Sequence, residues 1–88
     1  MANIKDLIKA GLVKDGTELI WIRRVAKEQH IATINSGGTI TTADGLVHKT
    51  PSGAAKHLNS NKPIDGWNAW KLRVGGNSLS ELRSKLTN

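Results

Sequence analysis

"TADGLVHKTPSGAAKHL", residues 42–58, contains the change of rhythm on which the fold turns. Up to Lys49 the pattern has a period of two, and "ADG" at 43–45 supplies a tight turn between residues 39–42 and 46–49. From Thr50 the period becomes about 3.6. Thr50 suits a helix N-cap, because its hydroxyl can accept from the first free amides. Pro51 suits the first helical position, and Ala54, Ala55 and Leu58 make a narrow apolar stripe. A strand pair therefore hands over directly to a short helix.

Upstream, the "KDG" turn at 14–16 leads into "TELIWIRR", residues 17–24. Leu19 and Trp21 point one way and Ile20 and Ile22 the other, which predicts a central strand covered on both faces. "HIATIN" places His30, Ala32 and Ile34 opposite Ile31 and Thr33, and "SGG" at 36–38 is a hairpin turn. Three or four strands in an antiparallel meander follow. Before them, Ile4, Leu7 and Ile8 have helical spacing, and Gly11 is placed as a left-handed C-cap.

Downstream of the polar loop "NSNKPIDG", Trp70, Leu72 and Val74 alternate with Lys71 and Arg73, which predicts a last strand. "GGNS" ends it. A C-terminal helix over 78–87 starts with Ser78 and Glu81 in capping-box spacing and carries Leu79, Leu82 and Leu86 on one face. That face either docks on the core or contacts a partner. The expectation is an α+β fold, a small antiparallel sheet of four or five strands with an N-terminal helix, one short helix before the last strand and a C-terminal helix.

A chain of 88 residues makes one domain with one modest core. It has no cysteine, so disulfides and thiolate metal sites are excluded, which suits a reducing cytoplasm. Lys5, Asp6 and Lys9 interrupt the N-terminal apolar residues, and no apolar run approaches the roughly 20 residues needed to span a bilayer. A cytoplasmic protein with no membrane segment is expected. Thirteen Lys and Arg against seven Asp and Glu leave a net charge of +6. That excess points to a polyanionic partner or, on its own, to no more than solubility.

Catalysis finds little support. His30, His48 and His57 lie on different elements without the spacing of a metal site. Asp15, Asp44 and Asp65 sit beside glycines, where turns use them, and no acid and base pair emerges. "GGNS" before a helix lacks the lysine and wider glycine pattern of a phosphate loop. The sequence therefore predicts no enzyme, no metal and no cofactor.

In "GWNAW", residues 66–70, stand two of the three tryptophans of a chain without Phe or Tyr. On an extended segment Trp70 shares the parity of Leu72 and Val74 and faces the core. Trp67 shares that of Lys71 and Arg73 and can face outward, unless Gly66 kinks the chain and folds the ring over Gly53 and Ala54. Trp67 is thus either a base-stacking surface flanked by cations or part of a very small core.

"DLIKAGLVKDGTEL", then "ADGLVHKTPSGAAKHL" and "IDGWNAWKL", in that order, resemble the restriction enzyme adenine methylase associated (RAMA) domain over about residues 4–74. The most specific parts are Thr50, Pro51 and Ser52 with Ala54 and Ala55, and Gly66 and Trp67 with Trp70. Such modules occur beside DNA methylases and restriction components. The resemblance therefore implies a DNA-binding or modification-sensing accessory role rather than catalysis.

Charge and resemblance together predict a non-enzymatic DNA-binding module that works mainly through phosphate contacts. Its expected contacts are Arg23, Arg24 and Lys27 at a strand end and turn, Lys49, Lys56 and Lys62 around the short helix, and Lys71 and Arg73 on the last strand. Ser52 and nearby free amides add a phosphate contact, and Trp67 a possible stacking surface. The alternative is a protein-interaction subunit of a restriction or modification system, acting through the Leu79, Leu82 and Leu86 stripe.

Overall fold

The computed structural model describes residues 2–87. Its first helix, α1 (Ile4–Lys9), begins at Asn3, whose side chain accepts from the Asp6 amide while Asp6 reaches back to the Asn3 amide. This reciprocal cap satisfies amides that a six-residue helix cannot satisfy internally. Ile4 and Leu7 face inward, and Gly11, in the left-handed region, turns the chain away.

Four strands follow as an antiparallel meander: β1 (Glu18–Arg23), β2 (Glu28–Ile34), β3 (Ile40–Thr42) and β4 (Val47–His48). Then come α2 (Pro51–Leu58), a one-turn helix α3 (Gly66–Ala69), β5 (Lys71–Leu72) and α4 (Leu79–Ser84), which runs on as a 3-10 turn, Lys85–Thr87. β5 returns to pair antiparallel with β1, which gives one five-stranded sheet in the order β4-β3-β2-β1-β5. The fold is α+β, with helices at both ends and in the middle.

The sheet buries one face. Leu19, Trp21, Ala32, Ile34 and Ile40 share that face and form a single core with Ile4 and Leu7 of α1, Ala54 and Ala55 of α2, Trp70, and Leu79 and Leu82 of α4. The expectation that β1 is covered on both sides is corrected: Ile22 is 52% exposed, and Val47, on the same sheet face, is 61% exposed. β1 is interior because β2 and β5 flank it, not because helices sandwich it. A strand with apolar residues at both parities looks the same in either setting, so periodicity could not separate them.

The segment around "GWNAW" is corrected as well. Gly66–Ala69 is helical, started by the Asp65 carboxylate accepting from the Trp67 amide, and β5 is only two residues long. Val74, expected to face the core with Trp70, is 87% exposed, because the chain turns at Gly75 and Gly76 just beyond β5. Trp70 is fully buried as expected, but as the residue that ends α3 rather than by strand parity. Its indole N–H donates to the Pro51 carbonyl at 3.2 Å, and its ring meets Trp21 edge-on at 5.9 Å.

This places the starts of α2 and α3 against each other. A Cβ on Gly66 would overlap the carbonyl carbon and oxygen of Pro51, so only glycine allows the approach. The Gly66 amide donates to Ser52 Oγ at 3.0 Å, and Thr50 Oγ1 caps α2 by accepting from the Gly53 amide. α4 closes the core behind them. Its capping box forms between Ser78 and Glu81, Leu79 and Leu82 are buried, Leu86 packs on the core, and the Leu79 amide donates to the Trp70 carbonyl. The leucine stripe, left between core and partner surface by the sequence, is thus an internal contact.

Candidate nucleic-acid interface

β1 and β2 pair from Glu18 opposite Thr33 to Arg23 opposite Glu28, and residues 24–27 make the turn between them. Arg23 points to the helical side of the sheet. Its guanidinium donates to Asn59 Oδ1 at 2.9 Å, pairs with Glu28 at 3.5 Å and lies over the Trp21 ring. Asn59 is the residue that ends α2, and its amide N–H also donates to the Lys62 carbonyl. One side chain therefore joins the hairpin end, the C-terminal end of α2 and the following loop.

Around that hub stand Arg24 and Lys27 in the turn, Lys56 in the last turn of α2, and Lys62, all exposed. None of these four has an ion pair among the described residues. Cations near a helix C-terminus also sit favourably against its dipole, which holds Lys56 there at no cost to the fold. Lys49 is exposed just before α2, at its opposite end. Arg23 differs from the rest of the group in being committed to internal partners.

Lys71 on β5 and Arg73 just beyond it, both expected on one strand, are partly neutralised. Arg73 pairs with Glu18 at 3.0 Å, and Lys71 lies close enough to Glu81 to help hold its carboxyl below the usual range, behind the larger effect of the Ser78 amide. Both lie on the open sheet face, since Lys71 is opposite Ile20 and the Arg73 amide donates to the Glu18 carbonyl. Ser52 Oγ accepts from the Gly66 amide, which leaves its hydroxyl proton to donate to an anionic ligand.

Trp67 is half-buried against the core, and the guanidinium 4.1 Å above its ring belongs to Arg83, not to Lys71 or Arg73. The helical turn removes the parity that would have aligned it with those two cations. The ten expected contact residues thus fall into a set at the hairpin and the α2 end (Arg23, Arg24, Lys27, Lys56 and Lys62), an open-face pair (Lys71 and Arg73), and the separate positions of Lys49, Ser52 and Trp67.

Sequence spacing missed one further constellation. Asp44, in the β3–β4 turn, accepts from Thr42 Oγ1 through one oxygen, and its other oxygen lies 2.6 Å from His57 Nε2 on α2. His48 Nε2 lies 3.2 Å from Thr42 Oγ1, and the His48 and His57 rings are 5.0 Å apart. The hydrogen bonds from His57 and Thr42 hold the Asp44 carboxyl well below the usual carboxylate range. Partial burial, with the nearby His57 as a second cause, pushes His48 below the usual histidine value. Among the described residues no group of three or more His, Asp or Glu could hold a metal ion. What the cluster visibly does is fasten the β3–β4 turn to α2, with residues 13 positions apart that no local pattern connects.

The sequence profile of the restriction enzyme adenine methylase associated family, RAMA, matches residues 1–88. The chain belongs to the RAMA family. The match extends the resemblance from residues 4–74 to the C-terminal helix, in keeping with the burial of Leu79 and Leu82 in the common core. RAMA domains are associated with restriction-modification systems, which sets the general context of this one. No curated protein matches the chain. Among the described residues, no helix of this RAMA domain is long and apolar enough to cross a membrane.

Proposed function

We propose that this RAMA domain is a non-enzymatic, cytoplasmic DNA-binding accessory module that needs no cofactor and grips DNA mainly through phosphate contacts. The observation that carries the reading is the set of exposed cations without ion pairs, Arg24, Lys27, Lys56 and Lys62, gathered where Arg23 and Asn59 join the hairpin to α2. Separate exposed cations on the hairpin turn, the last turn of α2 and the loop after it, in a domain with net charge +6, suit a polyanion better than a single small ligand. Lys49 extends the set along α2, and Lys71 and Arg73 join once DNA competes with their surface carboxylates.

An NMR titration with duplex DNA at two salt concentrations tests this. With four to five phosphates neutralised, log affinity falls against log salt with a slope of roughly −4, and shifts concentrate at Arg24, Lys27, Lys56 and Lys62. No binding at low salt removes the reading.

A second reading, a subunit of a restriction or modification system, is favoured by the family association and by the open sheet face, where Ile22 and Val47 are exposed. Its surface is that face, since Leu79 and Leu82 are buried. Shifts on mixing with a methylase subunit, centred on Ile22 and Val47 and insensitive to salt, identify it.

A further inference from the structure

β5 pairs with β1 only at Leu19 and Ile20, and β3 pairs with β2 only from Ala32 to Ile34. Residues 21–31 therefore form a two-stranded ribbon with no third strand at either edge. One face of it is anchored, by Trp21 in the core and by Arg23 on Asn59. The other carries Ile22 directly opposite Gln29, both exposed, and the turn adds Arg24, Val25, Ala26 and Lys27.

Two features of this ribbon have no role in the fold. Val25 is fully exposed, in a chain with few large apolar residues to spare. The Gln29 side chain has no hydrogen-bond partner among the described residues, so two donors and an acceptor face outward.

We propose that the β1–β2 ribbon enters the major groove of duplex DNA, an inference that rests on the DNA-binding reading above. A two-stranded antiparallel ribbon fits that groove, whereas the minor groove is too narrow for one. Gln29 presents its amide to base edges, where the N6 and N7 of adenine match its acceptor and donor. Ile22 and Val25 meet thymine methyls, and Arg24 and Lys27 straddle the flanking phosphates. The anchored face keeps the ribbon rigid, so little order is lost on binding.

The test uses the whole domain and a fluorescein-labelled, random-sequence duplex, read by anisotropy at low and physiological salt, with methyl green as major-groove competitor and netropsin as minor-groove competitor. Methyl green displaces the domain and netropsin does not. Arg24→Ala with Lys27→Ala weakens binding roughly tenfold or more and makes the log–log salt slope shallower by about 1.8, the loss of two phosphate contacts. Selection from the duplex pool yields a preferred site containing A·T pairs. Gln29→Ala loses roughly 5- to 150-fold on that site while holding its affinity for the unselected pool. Melting curves confirm that these variants stay folded, and Lys14→Ala serves as the exposed-cation control. Displacement by netropsin alone, or wild-type affinity in the Arg24 and Lys27 variant, overturns the ribbon while leaving DNA binding in place. Absence of wild-type binding at low salt overturns both readings together.

Discussion

The crossing of α2 and α3 and the β1–β2 hairpin are opposites in sequence and in structure. The crossing is dense in recognisable signals: Thr50 and Pro51, paired alanines, Gly66 and two tryptophans. Its physical content is close packing. Gly66 lies against the Pro51 carbonyl, Trp70 donates to that same carbonyl, and Thr50 and Ser52 satisfy backbone amides. The hairpin turn "RVAK" carries no motif, yet all four of its residues are exposed. The comparison teaches that the most distinctive residues of a small domain can be spent on its core, while residues of no pattern are the ones left on its surface.

The largest effect that can break this comparison is Trp70→Ala. It removes a fully buried ring from a small core together with its hydrogen bond to the Pro51 carbonyl, at a cost of about 3–5 kcal/mol by chemical denaturation, enough to unfold so small a domain. Gly66→Ala comes next, at about 3 kcal/mol, because the atoms its Cβ meets are backbone and cannot swing aside. A wild-type midpoint for Gly66→Ala means that the two helix starts are not locked as described.

Trp67→Ala sharpens the comparison. The ring is half-buried under Arg83, so the loss is intermediate, about 1–2 kcal/mol, with Arg83→Ala at about 0.5–1 kcal/mol. If Trp67→Ala instead leaves the melting temperature unchanged and weakens DNA binding, the crossing is a contact surface as well, and the contrast with the hairpin fails.

The smallest effect is on pH dependence. Asp44 has a lowered pKa in the fold, so its stabilising contribution is present above the ordinary carboxylate range, about pH 4, and is lost as pH falls below it. His48 is a base with a lowered pKa, so the unfolded chain takes up its proton first, and stability declines as pH falls below about 6.5. Both act in the same direction. The melting temperature of the wild type therefore drops on acidification from pH 7 to about 2, and His48→Gln flattens that curve below about pH 6.5 while Asp44→Asn flattens it below about pH 4. Parallel curves for all three proteins remove the Asp44 and His57 link as the fastener of the β3–β4 turn.

Much of the fold was legible because it rests on local rules. Thr50 with Pro51, and Ser78 with Glu81, are caps whose partners lie within three residues, and the meander follows from alternation broken by "SGG" and "ADG". What misled the reading was equally local. Four residues of α3 are too few to show a helical period, so "GWNAW" read as extended, which left Trp67 undecided between core and surface and carried Val74 to the wrong face. Of the candidate site, sequence supplied the cations one by one but not their grouping, because charge patterning does not report which surface lysines have a carboxylate beside them.

By itself, then, the sequence determined the α+β class, the order of its elements apart from the one-turn helix α3, the burial of Trp70 and membership of the RAMA family, all of them consequences of contacts between near neighbours or of ordered motifs. Only the tertiary structure decided that one sheet face stays open, that the C-terminal leucines are internal, that Gly66 serves a steric contact with Pro51, and that Asp44, His48 and His57 meet. It also decided that Arg73 is answered by Glu18, 55 positions away, while Arg24 and Lys27 are left unanswered at the end of a ribbon. Each of these depends on groups far apart in the chain, whose proximity is set by the packing of the whole core and not by any interval between residues.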